Sequence, residues 1–270
     1  MYILIDIGGT NTRIAGTSDK QAFNDPVIFS TPQNFDEWHK KATEVINSIK
    51  GDSDILAIVA GIAGTFSSDR SSIHVCPHLP LWNGINMKER LGGEYSCDVY
   101  LENDTALVGL GEAVYGIGKG QDIVVYITIS TGVGGVRIVD GSIDKNKFGF
   151  EIGHQIVNDG KEIEYYLAGS YHEKRFGKPS KEIKDPEFWK EVDYYVGILT
   201  ANTTMYWSPA MIIFGGPVVN DINLERALET TKQFTQLYKV LPKIERSSLG
   251  ALGGLYGGLA IVQKIRPRDF

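Results

Sequence analysis

The apolar positions of this chain follow two alternating rhythms. Tyr2 to Ile7 is an almost unbroken apolar run, the pattern of a strand covered on both faces, and Gly8-Gly9-Thr10-Asn11 supplies a turn into a return strand at Thr12 to Ala15. Phe35, Trp38, Ala42, Ile46 and Ile49 then recur at spacings of three and four, which predicts a helix capped by Asn34. Ile55 to Ala60 is short, apolar and rich in β-branched residues, as a buried strand is. Asp98 to Leu101 reads as a second one, followed at once by a helix with Ala106, Leu107, Leu110 and Val114 on one face.

From Asp122 the pattern repeats. Ile123 to Ile129 is a strand, Ser130 to Gly135 a glycine-rich turn, and Val136 to Val139 a return strand. Both hairpins run through a Gly/Thr tip to an Arg-Ile pair, Arg13-Ile14 and Arg137-Ile138, about one domain length apart. Two related lobes, each opening with a hairpin, would account for this. Downstream the pattern is helical: helices are expected over 161–176 and 186–206, with a strand at Met211 to Phe214 ending on Gly215-Gly216. Asn220 or Asp221 is the expected cap of another helix, and 250–265 reads as a terminal helix of small residues.

Composition narrows the function classes. At 42% hydrophobic and 22% charged residues the 270-residue chain is globular, not disordered. A net charge of −6 argues against holding a polyanion by charge alone, so nucleic acid is not an expected partner. Two cysteines, Cys76 and Cys97, make no disulfide framework and lack metal-ligand spacing. The N-terminus has no basic n-region, and the weakly polar stretch from Leu249 to Val262 is too short to cross a bilayer. A cytoplasmic protein with no membrane attachment is expected. Thirty-one glycines exceed the usual share of about 7%.

Glycine-rich turns between strands expose backbone N–H groups where no side chain blocks a phosphate. Gly8, Gly9, Thr10, Asn11 and Thr12 form one such candidate, with Asp6 before it as a carboxylate for a hydrated Mg²⁺. Ser130-Thr131-Gly132-Val133-Gly134-Gly135 forms the other. Either alone could be a plain hairpin turn; two of them suit the clamping of a polyphosphate. Neither is a Walker A loop, and Arg137 breaks any dinucleotide fingerprint. Glu102-Asn103-Asp104 sits where a strand meets a helix, placing a carboxylate at the carboxyl end of a strand, although Asn103 or Asp104 could simply cap that helix. Glu151 and His154 pair a carboxylate with an imidazole three positions on.

Taken in order, Asp6-Ile-Gly-Gly-Thr-Asn-Thr-Arg13, Leu101-Glu-Asn-Asp104, Gly111-Glu112, Ser130-Thr-Gly-Val-Gly-Gly135, Glu151-Ile-Gly-His154 and Phe214-Gly-Gly216 resemble the ROK family of sugar kinases and repressors, within the actin-like ATPase superfamily. The resemblance covers nearly the whole chain. It implies an α/β, two-lobed actin-like (ribonuclease H-like) fold with the active site in the interlobe cleft. It further implies a small lobe of residues 1–108 plus 253–270 and a large lobe of 109–252. By the same resemblance, Asp6, Gly8, Gly9, Thr10, Asn11, Thr12, Arg13, Thr131, Gly132 and Gly134 would hold ATP phosphates with Mg²⁺, and Gly215 and Gly216 would lie by the adenosine. Asp104 would be the general base; Gly64, Asn103, Asp104, Glu151, His154 and Glu164 would contact the sugar. The implied activity is transfer of the ATP γ-phosphate to the 6-hydroxyl of a hexose, glucose first, with fructose, mannose, an N-acetylhexosamine or a catalytically silent sugar sensor as alternatives. A homodimer is expected on the same basis.

The chain departs from the family pattern in three places. Most relatives carry a Cys-x-Cys-Gly-x-x-Gly-Cys zinc segment after the histidine, whereas Gln155 to Ile163 is short and has no cysteine, so no zinc is expected. The usual Pro-Asn-Leu-Pro and Gly-x-Pro-Gly runs read Pro77-His78-Leu79-Pro80 and Gly61-Ile62-Ala63-Gly64. The repressors' helix-turn-helix precedes the first phosphate turn, which here begins at position 8, so a DNA-binding role is not expected.

Overall fold

The computed structural model describes residues 1–147 and 149–266. The last four positions of the expected 253–270 segment, 267–270, lie outside the described residues. The chain divides into two compact units, Met1–Gly111 with the chain from Leu249 onward, and Glu112–Ser248.

In the first unit β1 (Tyr2–Ile7) and β2 (Asn11–Thr17) form the expected hairpin, and β3 (Val27–Ser30) pairs on β2. Then come α1 (Phe35–Lys50), β4 (Ala57–Ile62), a small hairpin of β5 (Thr65–Phe66) and β6 (Ile73–Val75), α2 (Met87–Tyr95), β7 (Asp98–Asn103) and α3 (Asp104–Val114). The sheet runs β3-β2-β1-β4-β7, with β1, β4 and β7 mutually parallel. α1 starts where Asn34 Oδ1 accepts the N–H groups of Asp36 and Glu37, as its sequence predicts. Its apolar stripe brings Phe35 and Trp38 against Trp82, all buried with Ile3, Ile5 and Ile58 in one core.

The second unit repeats the plan. β8 (Ile123–Ile129), β9 (Val133–Val139) and β10 (Ser142–Ile143) are antiparallel; β13 (Met211–Gly215) and β14 (Lys243–Arg246) add in parallel, giving β10-β9-β8-β13-β14. Inserted between β10 and β13 are β11 (Ile156–Asn158), β12 (Lys161–Glu162), α4 (Glu164–Leu167), α5 (Gly169–Phe176) and the long α6 (Pro186–Trp207). α7 (Leu224–Phe234) packs along α6, and α8 (Gly253–Lys264) returns the chain to β1 and β4 of the first unit. The two sheets thus share one strand order, the topological form of the repeat seen in the sequence.

Several elements differ from the periodicity. The helix expected over 161–176 is a strand followed by two short helices. Asp159 and Gly160 both take positive φ and turn the chain into a hairpin with β11, and Ala168 is extended (φ −75°, ψ 135°). Gly169 donates its N–H to Ser130 O at 2.8 Å, so docking on the second glycine-rich turn overrides the helical spacing. α7 is capped by Asn223, not by Asn220 or Asp221, which lie in a 3₁₀ turn over Pro217–Asp221. The terminal helix begins at Gly253, after a 3₁₀ turn at Gly250–Leu252. β9 starts at Val133, three residues earlier than expected, and β4 runs two residues later.

Candidate functional site

In a parallel sheet the loops after the carboxyl ends of the strands are where ligands sit. In the first unit those ends carry the candidate residues. Ile7, Ile62 and Asn103 are aligned across β1, β4 and β7, so the turn from Gly8, the segment around Gly64 and the start of α3 lie side by side.

The first turn is closed by Gly8 N–H donating to Asn11 O at 3.0 Å. It is braced from inside the core: Thr31 Oγ1 donates to Gly8 O (2.7 Å) and lies 2.9 Å from Thr12 Oγ1, which accepts from Trp38 Nε1 at 3.0 Å. This corrects one expectation. The Thr12 hydroxyl is fully buried and committed to Trp38 and Thr31, so it is a strut beneath the turn, not a phosphate donor. Thr10 and Gly9 remain on the outer side. A methyl group at Gly9 would come within 2.8 Å of His78 Cβ, so the departure at position 78 places an imidazole beside the turn.

Asp6, at the end of β1, is buried against the start of α8, where a Cβ on Gly254 would approach its carboxyl carbon to 2.8 Å. Burial, then the negative charge of Asp104, push its pKa up to about 6, against the pull of Arg13, whose Nη1 is 3.4 Å away. Asp104 is the first residue of α3. Its pKa is also raised by burial, with the Thr105 backbone N–H (2.7 Å) and the charge of His78 working the other way. Asn103 Oδ1 accepts Ala106 N–H at 3.2 Å, so Asn103 does cap α3, while its Nδ2 donates to Gly64 O at 3.3 Å. Asn103, Asp104 and Gly64 are therefore one group. Gly64 has φ +147° and a Cβ there would strike the backbone of Val75, which explains why the run Gly61-Ile62-Ala63-Gly64 keeps its last glycine while alanine stands at 63. Glu102, exposed to no role by its sequence, pairs with Arg70 from the tip of the β5–β6 hairpin and accepts the Asn103 N–H at 2.9 Å.

In the second unit the turn at Ser130–Gly132 connects β8 to β9. Ser170 Oγ and N–H both reach Thr131 O, at 2.6 and 3.1 Å. Glu164 Oε1 accepts the Val133 N–H at 2.7 Å, and a methyl group on either Gly132 or Gly153 would approach that oxygen to within 2.9 Å. Glu164 thus links the turn carrying Thr131 and Gly132 to the segment carrying Glu151 and His154, while Gly134, expected in that turn, lies in β9 opposite Thr128. Gly215 pairs with Thr128 at the same end of the sheet, and Gly216 (φ +93°) lies over Ile129 and Thr128. His154 Nδ1 is 2.9 Å from Glu162 Oε2, and its pKa is raised, chiefly by that hydrogen bond. Glu162 was not legible as a partner, because only the hairpin turn at Asp159–Gly160 brings it back. Among the described residues no cluster of three or more His, Cys, Asp or Glu side chains is placed to hold a metal ion, and no helix is long and apolar enough to cross a membrane.

Two five-stranded sheets of one strand order, each carrying a hairpin with a glycine-rich turn, are the mixed α/β plan of the actin-like class. Within it the chain belongs to the ROK family, whose model matches residues 2–265. It is 27% identical over 201 residues to an uncharacterized protein of Clostridium perfringens, covering 72% of this chain and 63% of that protein. It is 26% identical over 264 residues to a putative fructokinase of Bacillus subtilis, covering 91% and 83%. Among solved structures it is similar to a ROK hexokinase from Thermus thermophilus (TM-score 0.84, 24% identity, 96% of this chain and 97% of that one). It is also similar to a ROK family glucokinase from Streptomyces griseus in complex with glucose and AMPPNP (TM-score 0.76, 20% identity, 96% and 98%).

Proposed function

We propose that this protein is an ATP-dependent sugar kinase that transfers the γ-phosphoryl group of ATP to the 6-hydroxyl of a hexose, with glucose as the first substrate and Asp104 as general base. The observation that carries the reading is the Asp104 carboxylate itself. It is held at the N-terminus of α3, beside Asn103 and Gly64, and burial raises its pKa, which makes it a stronger proton acceptor than an exposed carboxylate. Fructose is the second reading, favoured by the putative fructokinase that aligns with 91% of the chain.

Phosphoryl transfer asks for an in-line nucleophile, a proton acceptor and neutralised phosphate charge. Asp104 would take the hydroxyl proton as the sugar oxygen attacks the γ-phosphorus. Asn103 and Gly64, with Glu151, His154 and Glu164 from the second unit, would orient the sugar. The backbone N–H groups of Gly9 and Thr10 and of Thr131 and Gly132 would hold phosphate oxygens. Asp6 fits a hydrated Mg²⁺: burial and the negative charge of Asp104 raise its cost of ionisation, and a divalent cation would offset that cost. Bound there, Mg²⁺ would supply charge neutralisation on the β- and γ-phosphates.

The test is ADP production by the purified protein with ATP and Mg²⁺ over a panel of D-glucose, D-fructose, D-mannose and N-acetylhexosamines. Stimulation by glucose or fructose supports the reading; no stimulation by any of them overturns it.

A further inference from the structure

His154 ends the 3₁₀ turn Ile152–His154, and its side chain is about half exposed. An exposed imidazole on a short turn is free to rotate unless something fixes it. The following hairpin does so. Asn158 pairs with Lys161 and Ile156 with Glu162, around Asp159 (φ 45°) and Gly160 (φ 73°), the two left-handed residues of a type I′ turn. That register returns Glu162 to His154, with Oε2 2.9 Å from Nδ1.

Both ends of the hairpin are anchored. Gln155 Nε2 donates to Ile152 O (2.9 Å), Gln155 Oε1 accepts from Asn202 of α6 (2.6 Å), and Ile163 N–H donates to Gln155 O (2.9 Å). One residue beyond, Glu164 is held by Val133 N–H. The Glu162 carboxylate is therefore presented from a fixed frame.

We propose that Glu162 is a positioning residue: by accepting from Nδ1 it fixes the ring of His154 and leaves Nε2 as the atom offered to a sugar hydroxyl. This rests on the reading of His154 as a sugar-binding residue. An ionised carboxylate is acceptor-only, so the Nδ1 position carries the proton. The carboxylates acting on the ring are Glu162, Glu164 and Glu151, and all three favour the imidazolium against partial burial. While the ring is charged, Nε2–H is a donor. Once it loses its proton, Nδ1–H stays with Glu162 and Nε2 becomes an acceptor. Glu162 thus governs both the direction of the ring and the pH above which its outward face changes from donor to acceptor.

The experiment pairs an NMR titration with kinetics on Glu162→Gln and Glu162→Ala, using His154→Gln to assign the His154 resonances. Glu162 is a surface residue of a two-stranded hairpin, so both variants keep the fold, which the remaining histidine resonances report. In the wild type, ¹⁵N shifts place the proton of the neutral ring on Nδ1. In both variants the His154 pKa falls toward the ordinary histidine value, and Glu162→Ala loses the tautomer preference. With the most active hexose of the panel, Glu162→Ala raises the sugar KM about fivefold (~1 kcal/mol) while the ATP KM and kcat stay within about twofold. Glu162→Gln, whose amide oxygen still accepts from Nδ1, restores most of the KM, but its alkaline limb in kcat/KM moves to lower pH. An unchanged His154 titration in Glu162→Ala overturns the proposal, as does an unchanged sugar KM in an enzyme that is sugar-dependent. If no hexose is turned over, the kinase reading fails and the titration alone decides whether Glu162 controls the ring.

Discussion

Asp6→Asn separates the functional use of a carboxylate from its cost to the fold. The Asp6 side chain is 13% exposed and its pKa is raised to about 6 in the folded protein, from 3.8 in an exposed chain. Below about pH 3 both states are protonated and the difference costs nothing. Between about pH 3 and 6 the unfolded chain ionises first, so folding takes up a proton and stability falls as pH rises. Above pH 6 the cost is fully present: a shift of about two units at ~1.4 kcal/mol each is close to 3 kcal/mol. Asparagine keeps the shape and carries no charge, so it escapes this cost and the repulsion from Asp104, losing only the long 3.4 Å contact to Arg13. Urea denaturation should therefore show the variant more stable than wild type by about 1–3 kcal/mol at pH 8, with the difference falling to about a third of that at pH 4.5. Phosphotransfer should fall in the same variant, as expected where a functional group is kept against stability. A variant less stable than wild type at pH 8, or a difference that does not change with pH, would refute the reasoning.

Other substitutions test neighbouring parts of the structure. Glu112 is fully buried and accepts from Ser247 Oγ (2.6 Å), Ser248 N–H (2.7 Å), Ser248 Oγ (2.8 Å) and Ile117 N–H (3.3 Å). Glu112→Ala should cost about 3–5 kcal/mol in chemical denaturation, and Glu112→Gln less, since an amide oxygen still accepts from one side of the cluster. Thr12→Val leaves the Trp38 indole N–H and the Thr31 hydroxyl without their shared partner and should cost about 1–3 kcal/mol, read as a shift in urea midpoint. Gly9→Ala drives a methyl group toward His78 and displaces the turn; the ATP KM should rise about tenfold (~1.4 kcal/mol) with the melting temperature little changed.

What the sequence made legible was what local spacing controls. The cap at Asn34, the stripe from Phe35 to Ile46 and the two hairpins are each set by residues within a few positions, and they stand as read except that the second return strand starts at Val133 and shortens its turn. The twofold repeat was visible in the hairpin tips and emerges as one strand order used twice. The segment from 161 to 176 was misread because helical spacing there competes with a positive-φ turn at Asp159–Gly160 and with docking of Gly169 on Ser130, and long-range hydrogen bonds leave no periodic trace. Thr12 was read as a ligand donor because a hydroxyl in a glycine-rich turn looks the same whether it faces out or in; only burial with Trp38 distinguishes them. Arg70 and Glu162 were missed for a related reason. Each acts through a partner that a hairpin returns to it, Glu102 for one and His154 for the other.

Hexose-stimulated ADP formation, measured side by side for the wild type and Asp104→Asn with sugar binding followed by calorimetry, tests the central claim most directly. The account predicts sugar-dependent turnover in the wild type and a loss of about a hundredfold or more in kcat for the variant, in line with the loss of a general base, while the sugar still binds. An Asp104→Asn protein that turns over at the wild-type rate would contradict it.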